Sequence, residues 1–149
     1  MDQIFQTKLI AAFTDRTSPV YDLLYLYGAH QTTAEFIDTL TKQYVKQHPA
    51  SKIIRTTSES FKTETIRKVV AGECFSATSC DLFILEDISE LAGMEANEQR
   101  LYTMLDWLIE NKCQVIISGD VPVSQISKLA PRICAQINGG ISCALTEKA

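Results

Sequence analysis

Several kinds of segment are missing from this chain, and each absence removes a class of protein. No stretch approaches the ~18 uncharged apolar residues that a membrane helix needs. The opening MDQIFQTKLIAAF lacks the basic start and long apolar core of a signal peptide. The expectation is a cytoplasmic protein without a membrane segment. Clusters of basic residues are missing too: lysines and arginines are scattered singly and the formal charge is −4, so the electrostatic footprint of a dedicated nucleic-acid binder is absent. Direct sequence-specific DNA binding is not expected. Cysteines at metal-site spacing are also lacking. The five present, Cys74, Cys80, Cys113, Cys134 and Cys143, are odd in number, which argues against a disulfide framework as well as a zinc site. They read as reduced thiols, with Cys113 and Cys143 as core residues in or beside apolar runs and Cys74 and Cys80 as more exposed. His30 and His48 have no carboxylate and nucleophile nearby in the pattern of a triad.

What is present is enough for one packed domain. The 149 residues, 46% of them hydrophobic, suit a single domain over 1–149, with residues 1–20 as a segment leading into it. Apolar runs alternate with helical patterns at the pace of an α/β domain with a mainly parallel sheet. Residues 23–27 form a continuous apolar run, as expected for a buried strand, and Phe36, Ile37, Leu40 and Tyr44 then recur at helical spacing until His48 and Pro49. Residues 52–56 predict a second strand. Ser58 then reads as the N-cap of a helix that carries Phe61, Ile66, Val69 and Val70 and closes near Gly72.

The joint between the first strand and its helix, LLYLYGAHQTTAEF, invites comparison with a phosphate-binding loop. In GxxxxGK(S/T), backbone N–H groups cradle phosphates, a lysine reaches the outer ones and a hydroxyl holds magnesium. Here Gly28 keeps the first glycine. The second falls on Thr32 or Thr33, and the lysine on Thr33 or Ala34, so no cation is supplied. A β-branched residue resists positive φ and puts bulk where backbone should approach a ligand. The alternative is a plain strand–turn–helix joint.

The third strand, 81–85, ends in Glu86 and Asp87. In a parallel α/β sheet ligands gather beyond the carboxyl ends of the strands, so this pair faces the same crevice as Gly28. Such acids organise magnesium and polarise an attacking water in a Walker B arrangement; the alternative is a strand that ends in solvated acids. A helix over 95–111 buries Leu101, Met104, Leu105, Leu108 and Ile109 on one stripe. Trp107 shares the other side with Arg100, Thr103 and Glu110, either as an interaction residue or with its ring folded over the stripe's edge. A fourth strand, 114–118, ends at Gly119 and Asp120. Pro122 and Pro131 bracket a short helix around 123–129, and Gly139 and Gly140 turn the chain into a last strand over 141–146.

Taken in order, the segments LLYLYG, HPASKIIRTTSESF, LFILEDI, VIISGD and APRICAQINGGISCAL resemble the nucleotide-binding AAA+ core of the bacterial replication initiator DnaA and its relatives. The resemblance spans about residues 21–145 and runs without a gap from Asp81 onward. It implies a P-loop NTPase-like fold, a three-layer sandwich around a mainly parallel five-stranded sheet. It also implies Glu86 and Asp87 as Walker B acids, Asp120 as the polar sensor, and Gly28, Thr32 and Thr33 as the remains of a phosphate loop. Glu86 departs from the family's aspartate by one methylene. Where the family presents two arginines four residues apart, this chain has Arg132 and Gln136, and glutamine has no charge to act as an arginine finger. The helical lid and the C-terminal DNA-binding domain have no counterpart in this sequence. The resemblance therefore implies a non-catalytic interaction or regulatory module of replication initiation, with Arg132 and Trp107 as candidate contacts and a replication initiator or another AAA+ protein as partner. Self-association is compatible with it. No cofactor and no metal are expected. The competing expectation is a weak ATPase that binds ATP or ADP with magnesium through an atypical loop, and a third is an α/β domain with an unrelated ligand.

Overall fold

The computed structural model describes residues 3–15, 22–73 and 80–145. Its centre is a five-stranded, wholly parallel sheet of β1 (Leu23–Tyr27), β2 (Ile53–Thr57), β3 (Leu82–Glu86), β4 (Gln114–Gly119) and β5 (Ile141–Ala144), in the order β2-β3-β4-β1-β5. The helices are α1 (Gln3–Asp15), α2 (His30–Gln47), α3 (Ser58–Val70), α4 (Glu95–Glu110) and α5 (Pro131–Asn138), with single 3₁₀ turns at Ile88–Leu91 and Val123–Gln125. This is the three-layer α/β sandwich expected from the sequence.

Side chains alternate across a strand, so each apolar strand supplies two cores. Leu24, Leu26, Leu82, Ile84 and Ile116 face α1 and α2, where they meet Leu9, Phe13, Phe36, Ile37, Leu40 and Tyr44. Leu23, Tyr25, Phe83, Leu85, Val115 and Ile117 face the other layer and pack on residues of α3, α4 and α5, among them Phe61, Leu105 and Ile133. Each fully buried Leu or Ile contributes roughly 1.5–3 kcal/mol of transfer free energy. The chain leaves β1 by α2 on one face and returns through α3, α4 and α5 on the other, so the connections diverge beside β1 and β4 and open a crevice at their carboxyl ends.

Several sequence expectations need correction. In α3, Phe61 is buried, but Ile66, Val69 and Val70 are 61%, 54% and 82% exposed, and Thr65 takes the inward place. Thr65 tolerates burial because its hydroxyl donates to the Phe61 carbonyl at 2.9 Å. The N-cap is Thr57, whose Oγ1 accepts from the Ser60 N–H, while Ser58 turns inward to another task. In α4 the stripe of Leu101, Met104, Leu105 and Leu108 is buried, Ile109 is not, and Arg100 lies inside against α3. Its guanidinium stacks 4.2 Å from the Phe61 ring centroid and donates to Phe61 O and Thr65 Oγ1. The expected helix over 123–129 is only a 3₁₀ turn at Val123–Gln125, and the α-helix of this region, α5, begins at Pro131. Proline at the first helical position and Gly139 at the C-cap were its sequence signals. Cys80 is buried, as are Cys113 and Cys143, and Cys74 lies outside the described residues. The last strand ends at Ala144, and Thr146 is likewise outside the described residues.

Candidate functional site

At the crevice the connection from strand to helix is very short. β1 ends at Tyr27 and α2 begins at His30, leaving Gly28 and Ala29 between them. Gly28 has φ +149°, and a Cβ there would stand 2.3 Å from the carbonyl oxygen of Leu145, so glycine is required on both grounds. Its N–H donates to Gly119 O at 3.1 Å, which ties the end of β1 to the end of β4. Thr32 and Thr33 fall inside the first turns of α2. Thr33 is buried and its hydroxyl donates to the His30 carbonyl at 3.0 Å. The N-cap residue of α2 is Ala29, and it gives no side-chain capping bond.

The acids at the end of β3 are held by other parts of the chain. Glu86 is 8% exposed, and its Oε1 accepts from Arg55 Nη2 at 2.7 Å. Arg55, in the middle of β2, donates through Nη1 to Asp38 Oδ1 on α2 at 2.6 Å. Burial works against the guanidinium charge, but the bonds to Glu86 and Asp38 outweigh it and hold its pKa above the ordinary value. Asp87 adopts the left-handed conformation, φ 64° and ψ 53°. That backbone is pinned on two sides. Its N–H donates to Ser118 Oγ at 3.2 Å, and the Ser58 hydroxyl donates to the Asp87 and Glu86 carbonyls at 2.6 and 3.1 Å.

The Asp87 carboxylate turns toward α2, where Oδ1 is 3.0 Å from His30 Nδ1. The hydrogen bond and charge of Asp87 raise the His30 pKa from its ordinary value. Asp120, at the end of β4, is exposed and accepts from the Ser89 hydroxyl at 3.3 Å. Behind it, the buried Tyr25 hydroxyl donates to Val121 O at 2.6 Å; burial first, then the Asp120 and Tyr27 charges, raise its pKa.

The structure therefore brings Gly28, Glu86, Asp87 and Asp120 to one sheet edge and adds His30, Arg55, Asp38 and Ser58, which sequence reasoning had not assigned. A charged residue at the centre of the strand IIRTT was the available signal for Arg55. Arg132 and Trp107 belong to the α4–α5 layer instead. The Arg132 guanidinium lies 4.6 Å from the centroid of the Tyr102 ring, Gln136 donates to Tyr102 O at 3.1 Å, and Trp107 is half-buried against the core. A groove of about 450 Å³ runs between α1 and α2, lined by Ile10, Ala11, Lys42 and Lys46 among others, and none of the crevice acids lines it. Among the described residues no group of three or more His, Cys, Asp or Glu side chains is placed to hold a metal ion, and no helix is long and apolar enough to cross a membrane.

A sequence profile of the bacterial DnaA ATPase domain matches residues 5–144. The chromosomal replication initiator protein DnaA of Symbiobacterium thermophilum is 26% identical over 137 residues, a match covering 89% of this chain and 30% of that protein. The same 30% share holds for the DnaA of Lachnoclostridium phytofermentans, so the chain spans about a third of the length of these curated relatives. Domain III of the Thermotoga maritima replication initiation protein DnaA superposes with a TM-score of 0.84 at 17% identity, over 96% of this chain and 61% of that one. The DnaC helicase loader superposes with a TM-score of 0.77 at 11% identity, over 97% of this chain and 90% of that one. These two likenesses are of fold.

Proposed function

Because this chain belongs to the bacterial DnaA ATPase domain family, we propose that it is a non-catalytic interaction module of replication initiation, which keeps the family core as a scaffold and docks on a replication initiator or another AAA+ protein. The observation that carries this reading is the connection of Gly28 and Ala29 between β1 and α2. A phosphate loop works by bending several consecutive N–H groups around the phosphates and delivering a lysine at its end. Here the Gly28 N–H is used by Gly119 O, the helix starts at once, and its first residues, His-Gln-Thr-Thr-Ala, carry no lysine. Gln136 at the place of a second arginine adds to the case, since it donates to a backbone carbonyl and brings no charge to a neighbouring subunit. The apolar residues Ile66, Val69 and Val70 left outside on α3 suit a protein that works by contact. A subunit of this kind would cap or interrupt assemblies of active AAA+ subunits.

Isothermal titration with ATP and ADP in the presence of magnesium tests the reading. No heat up to millimolar nucleotide is the expected result, and micromolar binding would overturn it. One feature favours the second reading, a weak ATPase: the N-cap residue Ala29 gives no side-chain capping bond, so the first N–H groups of α2 are without that partner. On that reading a Glu86→Ala, Asp87→Ala double variant loses a magnesium-dependent hydrolysis that the parent chain shows.

A further inference from the structure

We infer that Arg55 occupies the place at Glu86 that a divalent cation would take, so that the acidic end of β3 is closed to magnesium by the chain's own guanidinium. This rests on the scaffold reading above and names the group that closes the site. A carboxylate as buried as Glu86 must be balanced by a cation or by hydrogen-bond donors. In this chain the balance comes from within. In the register of β2 with β3, Thr57 lies beside Glu86 and Arg55 beside Ile84, so Arg55 sits two residues back on the same face and its side chain runs along the strand to the carboxylate. The far side of the guanidinium is fixed by Asp38 on α2. The planar fork is thus clamped between carboxylates from two elements, the arrangement for which arginine is better suited than lysine.

The donor set does not fit magnesium. That ion takes oxygen ligands at about 2 Å in octahedral geometry. An ion bound to Glu86 Oε1 would have to displace Arg55 Nη2 at 2.7 Å or lie beside its positive charge, and either is unfavourable. Asp87 offers no easy substitute. Its backbone is pinned by Ser58 and Ser118, and its carboxylate is engaged by His30.

The test is a Mn²⁺ titration followed by electron paramagnetic resonance, with thermal unfolding in Mg²⁺, on the full chain and on Arg55→Met, Glu86→Gln and the double variant. The parent and Glu86→Gln are expected to take up Mn²⁺ identically, and Mg²⁺ leaves the parent's midpoint unchanged. Arg55→Met gains a site at least about tenfold tighter, its lowered midpoint rises by several degrees in Mg²⁺, and the double variant loses both effects. Uptake by the parent that Glu86→Gln weakens tenfold overturns the inference, as does an Arg55→Met chain with no gain. Should Arg55→Met fail to fold, the parent against Glu86→Gln decides alone. Nucleotide binding by the parent without any divalent cation overturns the scaffold reading and supports the role of Arg55. Mn²⁺ uptake that depends on Glu86, with no nucleotide bound, overturns the role of Arg55 and leaves the scaffold reading in place.

Discussion

The Ser58 hydroxyl, at the first residue of α3, lies 2.6 Å from the carbonyl oxygen of Asp87 and holds the end of β3 against the start of α3, the helix that precedes it in the chain. Both the hydroxyl and the left-handed turn it supports are local, but the residues come from separate elements. Ser58→Ala removes a buried donor to two carbonyls and is expected to lower stability by about 1–2 kcal/mol. Urea unfolding measures this. A loss near zero would mean that the Glu90 N–H, which also donates to Asp87 O, suffices to hold the turn.

Gly119 is where the sheet makes room for Tyr25. A Cβ at Gly119 would stand 2.2 Å from the Tyr25 hydroxyl oxygen, and that ring is fully buried and bonded to Val121. Gly119→Ala is therefore expected to destabilise by roughly 1–3 kcal/mol through overpacking. Tyr25→Phe in the same chain should recover part of the loss, because it removes the clashing atom. Equal losses in the single and double variants would exclude this contact as the cause.

Arg100 is a buried cation that no carboxylate among the described residues bonds. Burial lowers its pKa from the ordinary value, and its Nε meets no acceptor among the described residues. Arg100→Met keeps most of the side-chain volume against Phe61 and leaves Phe61 O still paired with the Thr65 hydroxyl, so it is expected to stay within about 1 kcal/mol of the parent or exceed it. Arg100→Ala loses the packing as well and should fall by about 2–4 kcal/mol. Thermal unfolding of the pair separates the two effects.

His30 should report the Asp87 contact through its titration. Its folded pKa is raised above the unfolded value of 6.5, so the stability it contributes is fully present below pH 6.5 and is lost as pH rises through the folded value. The His30 side chain is 67% exposed, so solvent and salt keep the contribution small. NMR titration of the ring should show the upward shift, and Asp87→Asn, which tolerates the left-handed backbone, should return it toward the ordinary value. A His30 titration unchanged by Asp87→Asn would refute the contact.

Much of the fold was legible because apolar strands and amphipathic helices carry their periods in the chain. β1 and α2 were readable to their buried faces, and the place of Glu86 and Asp87 at the carboxyl end of β3 was readable from the apolar run before them. α3 was misread for a physical reason. Ile66, Val69 and Val70 are apolar at helical spacing, yet the place they would have filled is taken by Thr65 and by Arg100 arriving from α4. Cys80 and α5 were missed through local context: a lone thiol beside a loop-like run, and a proline read as a breaker when it was a helix start.

The alternation of strands and helices, the glycine that ends β1 and the position of the paired acids were all set along the chain, because they follow from local propensity and spacing; that only Gly28 and Ala29 separate β1 from α2 was not. What those acids touch was set by how the elements pack. Arg55 reaches Glu86 across 31 residues and Asp38 across 17, and His30 reaches Asp87 across 57. Such pairings depend on strand register and on which helix covers which face, and no local period encodes either.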